Sequence, residues 1–544
     1  MISNSWKIWV DTGGTFTDCI AVDPSGRSRN LKVLSSGILR VKTKATIGTK
    51  ICIDLPLAIG TDFLKGFRIK IGKQIRTIVD FSSDLKELTV DKRFHRTFSE
   101  NIAEIYTGEE VPVFAARLLT ETSLDRDFPP IEMKLGSTRG TNALLERKGA
   151  KTIFLVTKGF KDLILIGDQQ RHNLFALNII KSPPLYHKVI EVAERIESDG
   201  SIHLLLAKKE IARVVALLKK EKDVTVAIAF LNSYKNPIHE QLLDSALKGA
   251  GFAYISPSHE LSSQIKILHR AETAIVNAYL EPIIHKYISN IRSRLNSASI
   301  KVMSSAGGLL SAEDFKPKDS LLSGPAGGVI GALKKAKLSG VSNIITFDMG
   351  GTSTDVSRCS NRPDYRFDCT VGNLRILTPS VNIETIAAGG GSICAYDGFK
   401  LTVGPESAGA KPGPACYGGG GPLSITDVNL LLGRLDPDNF SIPIDIEKSR
   451  VALQNVIKKL GRPRRGVNST SVLESFVEIA NEKMAEAIRK ISIQKGHDPK
   501  DYALLCFGGA GGQHACSLAT LLGIRRVIIP YAAGLLSAYG IGHS

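Results

Sequence analysis

The sequence predicts an α/β protein built as two lobes, and three observations carry that prediction. First, Asp-Thr-Gly-Gly-Thr-Phe-Thr-Asp spans Asp11 to Asp18, and Asp-Met-Gly-Gly-Thr-Ser-Thr-Asp spans Asp348 to Asp355; six of the eight positions are identical. Each copy follows an apolar run, Trp6–Val10 or Ile344–Phe347, that reads as a buried strand broken by a Gly-Gly turn. Second, a later apolar run, Ala503–Phe507, also enters glycines, at Gly508, Gly509, Gly511 and Gly512. Third, the middle of the chain alternates helix and strand patterns, the mark of a largely parallel sheet.

Glycine has no Cβ, so the backbone N–H groups of Gly13, Gly14, Gly350 and Gly351 can close on a phosphate. The hydroxyls of Thr15, Thr17, Thr352 and Thr354 add donors. Asp11 and Asp348 stand at strand ends, where each can hold a hydrated Mg²⁺, an ion that keeps several waters and needs few carboxylates. One such octapeptide alone also fits an ordinary glycine-turned hairpin; its repetition favours a pair of phosphate grips. The flat backbone from Gly508 to Gly512 suits adenine and ribose. Two phosphate hairpins and a late Gly-Gly adenosine loop resemble the motif order of the actin, Hsp70 and sugar-kinase superfamily. That resemblance implies an actin-like (ribonuclease H-like) two-lobed ATPase fold.

At 544 residues the chain has room for two or more domains, and 43% hydrophobic with 23% charged residues is globular composition. No run of 18 apolar residues marks a membrane helix, and the start enters the first strand with no room for a signal peptide. Eight scattered cysteines with no CxxC pair fit a reducing cytosol. The net charge of +17 is spread along the chain without a zinc-finger or RNA-recognition signature. It therefore reads as a solvated surface attractive to anionic nucleotide, and neither nucleic acid nor membrane is expected as a partner.

Taken in order, Asp23-Pro-Ser-Gly26 makes a turn after the first motif. Residues 37–130 are poor in helix periodicity and rich in short β-type runs, and read as a β-rich insertion in the N-terminal lobe. Thr141 or Asn142 can cap a two-turn helix that Gly149 ends. Strands follow at Ile153–Thr157, Val224–Phe230 and Ala253–Ser256, and helices at Ala207–Lys220, His239–Lys248 and Ala271–Leu295, the last bent or broken near Pro282. Gly167–Arg171 suits either a site wall or a plain turn. Ser323-Gly-Pro-Ala-Gly-Gly328 opens a helix whose small residues serve either anion binding or close packing across a hinge. The glycine- and proline-rich stretch Gly404–Tyr417 is a long loop of the kind that often serves function. Asp427 is a helix cap or a metal ligand, with capping ahead on residue type. Val472–Lys495 is a long amphipathic helix. His514 is a candidate metal ligand or general acid/base, although a lone histidine in a glycine loop is more often neither. A boundary is expected near 202/203, giving an N-terminal domain 1–202 and an ATPase domain 203–544.

These stretches together resemble the hydantoinase A/5-oxoprolinase family of ATP-dependent cyclic amidohydrolases, which includes ATP-handling subunits of acetone and acetophenone carboxylases. The resemblance rests on the two octapeptides, Gly140–Gly149, Leu322–Gly328, Ala388-Gly-Gly-Gly-Ser392, Pro414–Gly418, Thr426-Asp427 and Gly508–Ala515. Relatives usually read Gly-Thr-Thr where this chain has Gly136-Ser-Thr138, and Val-Ala-Thr-Asn where it has Arg139-Gly-Thr-Asn142. Ala533–Gly540 resembles a segment that relatives follow with a further domain, so a shortened or split member is expected. The resemblance implies phosphorylation of a ring amide (5-oxoproline or hydantoin type) by ATP. It implies Asp11 and Asp348 at Mg²⁺, Asp427 and His514 at a second divalent metal or the substrate, and a hydantoinase B-like partner in a hetero-oligomer. An ATP-handling carboxylase subunit and a non-catalytic actin-like ATP-binding protein are the alternatives.

Overall fold

The computed structural model describes residues 5–14, 16–55, 59–94, 101–168, 175, 177–178, 181–295, 299–372, 374–440, 444–461 and 468–544. The chain divides into two compact units, Met1–Gly324 with Arg366–Ser380, and Pro325–Tyr365 with Val381–Ser544. The division does not fall at 202/203, because strands on both sides of that point share a sheet. Lys151–Thr157 pairs in parallel with Tyr186–Val192 on one side and Val224–Ala229 on the other, and Ile255–Pro257 extends the sheet. Helices Lys208–Leu218 and Ile238–Gly249 make the crossovers, as the alternating pattern predicts.

The first unit is centred on the sheet that carries the first octapeptide. Trp6–Thr12 and Phe16–Val22 form an antiparallel hairpin with Asp11 opposite Asp18. Ser28–Leu34 pairs on the outer side, and Ile131–Ser137 runs parallel to the first strand, followed by Ser299–Met303. Alternate residues Ile8 and Val10 are fully buried, so the period-2 pattern fixes which face meets the core. Six strands between Leu39 and Tyr106 close into a barrel filled by Val41, Ile51, Phe67, Ile69, Phe81 and Ile105. Closure leaves the barrel no unpaired edge.

One element in the stretch read as β-rich is a helix, Val111–Thr120. Its residues from Val111 to Leu119 are all buried. A helix buried all round shows no polar stripe, so periodicity could not distinguish it from a strand. The helix expected from Thr141 or Asn142 to Gly149 instead runs Arg139–Leu145 with Thr138 at its N-cap. Gly149 serves close approach: a Cβ there would lie 2.0 Å from the ring of Tyr279 on the long helix Ile267–Leu295. That helix passes through Pro282 without interruption.

The second unit repeats the hairpin arrangement. Asn343–Met349 and Thr354–Ser360 are antiparallel, with Asp348 opposite Asp355. Ala503–Phe507 lies parallel to the first of them and Val527–Ile528 parallel to that. Ala503–Phe507 is buried at every position, as expected of a central strand covered on both faces. Helix Ser469–Ile491 packs on the hairpin strand Thr354–Ser360, with Val477, Ala480, Met484 and Ile488 on its buried side.

The small residues of helix Ser323–Leu338 serve packing against the last helix, Leu536–Gly542, within the second unit. A Cβ at Gly331 would meet Leu536 O at 2.4 Å, and one at Gly540 would meet Gly327 O at 1.8 Å. Leu536 is consequently buried, whereas Ile529 and Tyr531, just past the last strand, are exposed. Among the described residues, no helix is long and apolar enough to cross a membrane.

Candidate functional site

In the first unit, Gly13 N donates to Phe16 O (3.0 Å) and closes a tight turn, with Gly14 exposed at its tip. Thr15 lies outside the described residues. Thr17 was expected to reach phosphate. It sits inside the second strand on the buried face, and its hydroxyl bonds Ser35 Oγ (3.0 Å), which donates to Gly13 O (2.7 Å). Thr17 thus braces the turn from behind.

Asp11 ends the first strand beside the start of helix Ser323–Leu338. A Cβ at Gly324 would stand 3.1 Å from Asp11 Oδ1, so any larger residue would crowd that carboxylate. Oδ1 is buried and has no hydrogen-bond partner among the described residues. Burial, with Asp18 opposite and Lys32 opposing, pushes the carboxyl up to about 7. An orphaned buried carboxylate oxygen beside a glycine-lined space suits a cation. The chain end of Ile131–Ser137 supports the turn: Thr138 N and Oγ1 both donate to Thr12 O (2.9 and 3.1 Å).

In the second unit, Gly350 N donates to Ser353 O (3.0 Å), and Gly351 and Thr352 are exposed at the tip. Thr354, like Thr17, faces inward: its hydroxyl donates to Ala388 O in the core. The symmetry of the repeat explains both departures. Strand alternation points the last threonine of each octapeptide away from the loop.

Gly508 adjoins Asp348 so closely that a Cβ would lie 2.4 Å from its Oδ1, and its φ of +82° is one that only glycine adopts at no cost. Ala510 N donates to Met349 O (3.0 Å), which ties the Gly508–Gly512 loop to the hairpin strand. Gly509 and Gly512 are exposed, and Gly511 is buried where a Cβ would meet Cys506 Sγ at 2.7 Å. The structure therefore brings together Asp348, Gly350, Gly351, Thr352, Gly508 and Gly509 at one end of the sheet. Asp355, across the hairpin, is pushed up to about 6 by burial against a hydrogen bond from Thr385.

Asp427 takes the capping role. Oδ2 accepts from Ala415 N (3.1 Å), Ser424 N (2.9 Å) and Ser424 Oγ (2.8 Å), and Oδ1 from Cys416 N (2.8 Å) and Ser449 Oγ (2.7 Å). Five donors saturate a fully buried carboxylate, and no lone pair is left for a metal. Ser424 and Asp427 form a capping box at the helix Ile425–Leu431.

His514 is equally committed. It is fully buried; Nδ1–H donates to Asn481 Oδ1 (2.7 Å), and Nε2 accepts from Asn429 Nδ2 (3.1 Å). Burial pushes its pKa down to about 4. A neutral imidazole with both nitrogens bonded and no solvent access neither binds metal nor transfers protons; it pins the Gly508–Gly512 loop to two helices. Among the described residues, no group of three His, Cys, Asp or Glu side chains is placed to hold a metal ion.

The folded state keeps His514 neutral, so its stability contribution is present above the ordinary value of 6.5 and is lost as pH falls towards 4. Wild type should lose about 2 kcal/mol more than His514→Gln between pH 7.5 and pH 5. Denaturant titrations of both proteins at the two pH values measure this; parallel losses would contradict it.

Two site features escaped the sequence reading. Gly389–Gly391 backs the second hairpin: Gly390 N donates to Gly350 O (3.0 Å) and Gly391 N to Gly351 O (2.6 Å). The glycine run is visible in the sequence, but its partner lies 40 residues away and no local signal names it. Asn481 was signalled by its place on the apolar stripe of a long helix, between Val477 and Met484.

Comparison with known proteins fits this geometry. Residues 270–544 match the family model Hydantoinase/oxoprolinase, and residues 116–251 match Hydantoinase/oxoprolinase N-terminal region. A 5-oxoprolinase of Dictyostelium discoideum is 38% identical over 465 residues, covering 75% of this chain and 37% of that protein. The chain thus spans little more than a third of this relative's length. The crystal structure of the ATP-dependent caprolactamase from Pseudomonas jessenii aligns over 98% of this chain and 70% of its own, with TM-score 0.74 and 28% identity. A nucleotide-free acetone carboxylase shares the fold over 99% of this chain and 70% of its own, with TM-score 0.69 and 23% identity. The chain belongs to the hydantoinase/oxoprolinase family.

Proposed function

We propose that this chain is the ATP-handling part of an ATP-dependent cyclic amide hydrolase, built as an actin-like ATPase, with the barrel as an insertion in its first lobe. The observation that carries the reading is the repeated hairpin. The two octapeptides stand in the same register, each with an aspartate at the strand end and a glycine turn beyond it. Names of relatives support the reaction class: 5-oxoprolinase and ATP-dependent caprolactamase both act on cyclic amides.

An unstrained ring amide is a poor electrophile. In the proposed reaction its carbonyl oxygen attacks the γ-phosphorus, the bond to the β,γ-bridging oxygen breaks, and ADP leaves. Water then adds to the ring carbon of the imidate phosphate. The ring C–N bond then breaks, the nitrogen takes a proton, and a second water hydrolyses the resulting acyl phosphate to carboxylate and phosphate. The amides of Gly13, Gly14, Gly350 and Gly351 would hold the phosphate oxygens in line, and positioning of this kind supplies most of the catalysis in phosphoryl transfer. Asp11 and Asp348 would hold Mg²⁺ through its waters, and the ion would supply charge neutralisation for the phosphates. Gly508, Gly509 and Gly512 would face the adenosine, with Gly511 packed behind them. A hydantoinase B-like chain is the proposed partner.

The test combines the chain with such a partner, Mg-ATP and 5-oxoproline, and follows ADP and ring-opened product. Equimolar formation of both, dependent on the cyclic amide, is expected. ADP release indifferent to the amide, or requiring bicarbonate, would contradict the reading.

A further inference from the structure

The long loop after Gly404 has no part in the scheme above, yet it is built onto the second hairpin in layers. Gly389–Gly391 is the middle layer. A Cβ at Gly389 would lie 2.7 Å from Ser353 N, and one at Gly391 would lie 2.9 Å from Gly351 O and 3.0 Å from Ser407 Oγ. Ala408 N donates to Gly391 O (2.9 Å), so Ser407–Gly409 forms a third layer on the far side. The middle layer meets the hairpin at its turn, residues 350–353, beyond the strand end where Asp348 stands.

The loop is clamped on its return as well. Gly413 N donates to Ala408 O (3.2 Å). A Cβ at Gly421 would sit 1.7 Å from Gly413 O, and one at Gly419 would sit 2.4 Å from Pro412 O. Asp427 holds Ala415 N and Cys416 N just beyond. Between the clamps only Ala410, Lys411 and Pro412 are exposed in succession. Lys411 is the one charged residue of that tip, and no carboxylate among the described residues pairs with it. It lies two positions beyond Gly409, a span of at most about 7 Å. The four-carbon stem adds further reach. A stiff loop anchored to a phosphate-type turn and tipped by one free ammonium has the parts of a phosphate clamp, in which lysine acts as a point charge.

We propose that Lys411 is the cation this chain places beside the terminal phosphoryl group of bound ATP. The proposal rests on reading Gly350–Gly351 as a phosphate loop. The terminal group is the one assigned because the layers meet the turn of the hairpin, outward of the strand end that carries Asp348. Lys411 would then bind ATP in preference to ADP and would neutralise charge on the phosphoryl group as it transfers.

Calorimetry on the whole chain, with Mg²⁺ and either a non-hydrolysable ATP analogue or ADP, tests the assignment. Lys411→Ala should weaken the triphosphate about tenfold, the size of one charge-assisted hydrogen bond, and leave ADP affinity within about twofold. Lys411→Arg should restore part of the loss. Lys400→Ala, an exposed lysine in the turn between the paired strands Ser392–Tyr396 and Leu401–Ser407, should change neither affinity. Thermal melting checks that each variant is folded. Unchanged triphosphate affinity in Lys411→Ala, or equal losses for both nucleotides, would overturn the proposal while leaving the phosphate-loop reading in place. If wild type binds neither nucleotide, or Asp348→Ala binds both as well as wild type, the phosphate-loop reading and the proposal fall together.

Discussion

Asp427→Ala is expected to destabilise the second unit by at least about 3 kcal/mol, which lowers its melting temperature by roughly 6–12 °C. The carboxylate accepts five hydrogen bonds in a site without solvent. Alanine leaves three backbone N–H groups and two hydroxyls buried with their main acceptor gone. Each orphaned donor costs roughly 1–3 kcal/mol before relaxation or water entry offsets part of it. The same change releases the capping box at Ser424 and the turn at Ala415–Tyr417 together. Nucleotide affinity measured well below the melting transition should stay close to wild type, because no oxygen of Asp427 is available to a ligand. A normal melting temperature with lost metal or nucleotide binding would restore Asp427 as a metal ligand.

Asp348→Ala should have the opposite signature. ATP turnover in the proposed assembly is expected to fall by about 10²-fold or more, the scale seen when one preorganised electrostatic group is removed from an active site. The placement argues for it: Gly508 leaves room beside Oδ1 where any side chain would collide at 2.4 Å, and the loop expected to face the adenosine is tied to the neighbouring Met349. Asp11→Ala should behave alike, given the equivalent register and the orphaned Oδ1. Turnover assays and Mg-ATP calorimetry on each variant measure the effect. Turnover and affinity within about twofold of wild type in Asp348→Ala would contradict it.

The two hairpins were legible because the octapeptide encodes them locally: apolar strand, glycine turn, second strand, with no distant partner required. The crossover helices were legible for the same reason, through their apolar stripes. What stayed hidden was settled at long range. Helix Val111–Thr120 carries no polar face, so its type depends on what surrounds it. Gly149 could be read as a helix end, but its reason is the Tyr279 ring. Thr17 and Thr354 were assigned by composition; strand alternation, once the hairpin limits are known, turns them into the core. His514 looked chemical because a histidine among glycines is conspicuous, yet its chemistry is spent on Asn481 and Asn429, 33 and 85 residues away. Asp427 showed its bland role in the sequence, at the N-terminus of a helix, and the structure assigns it that role.

The central proposal is that the two glycine-turned hairpins are phosphate-binding turns that serve Mg-ATP. A crystal structure of the chain with Mg²⁺ and a non-hydrolysable ATP analogue tests it most directly. The account predicts phosphate density on the amides of Gly13–Gly14 and of Gly350–Gly351, the metal held through water by Asp11 and Asp348, and adenosine against Gly508–Gly512. Nucleotide bound elsewhere with both glycine turns bare, or a metal on Asp427, would contradict it.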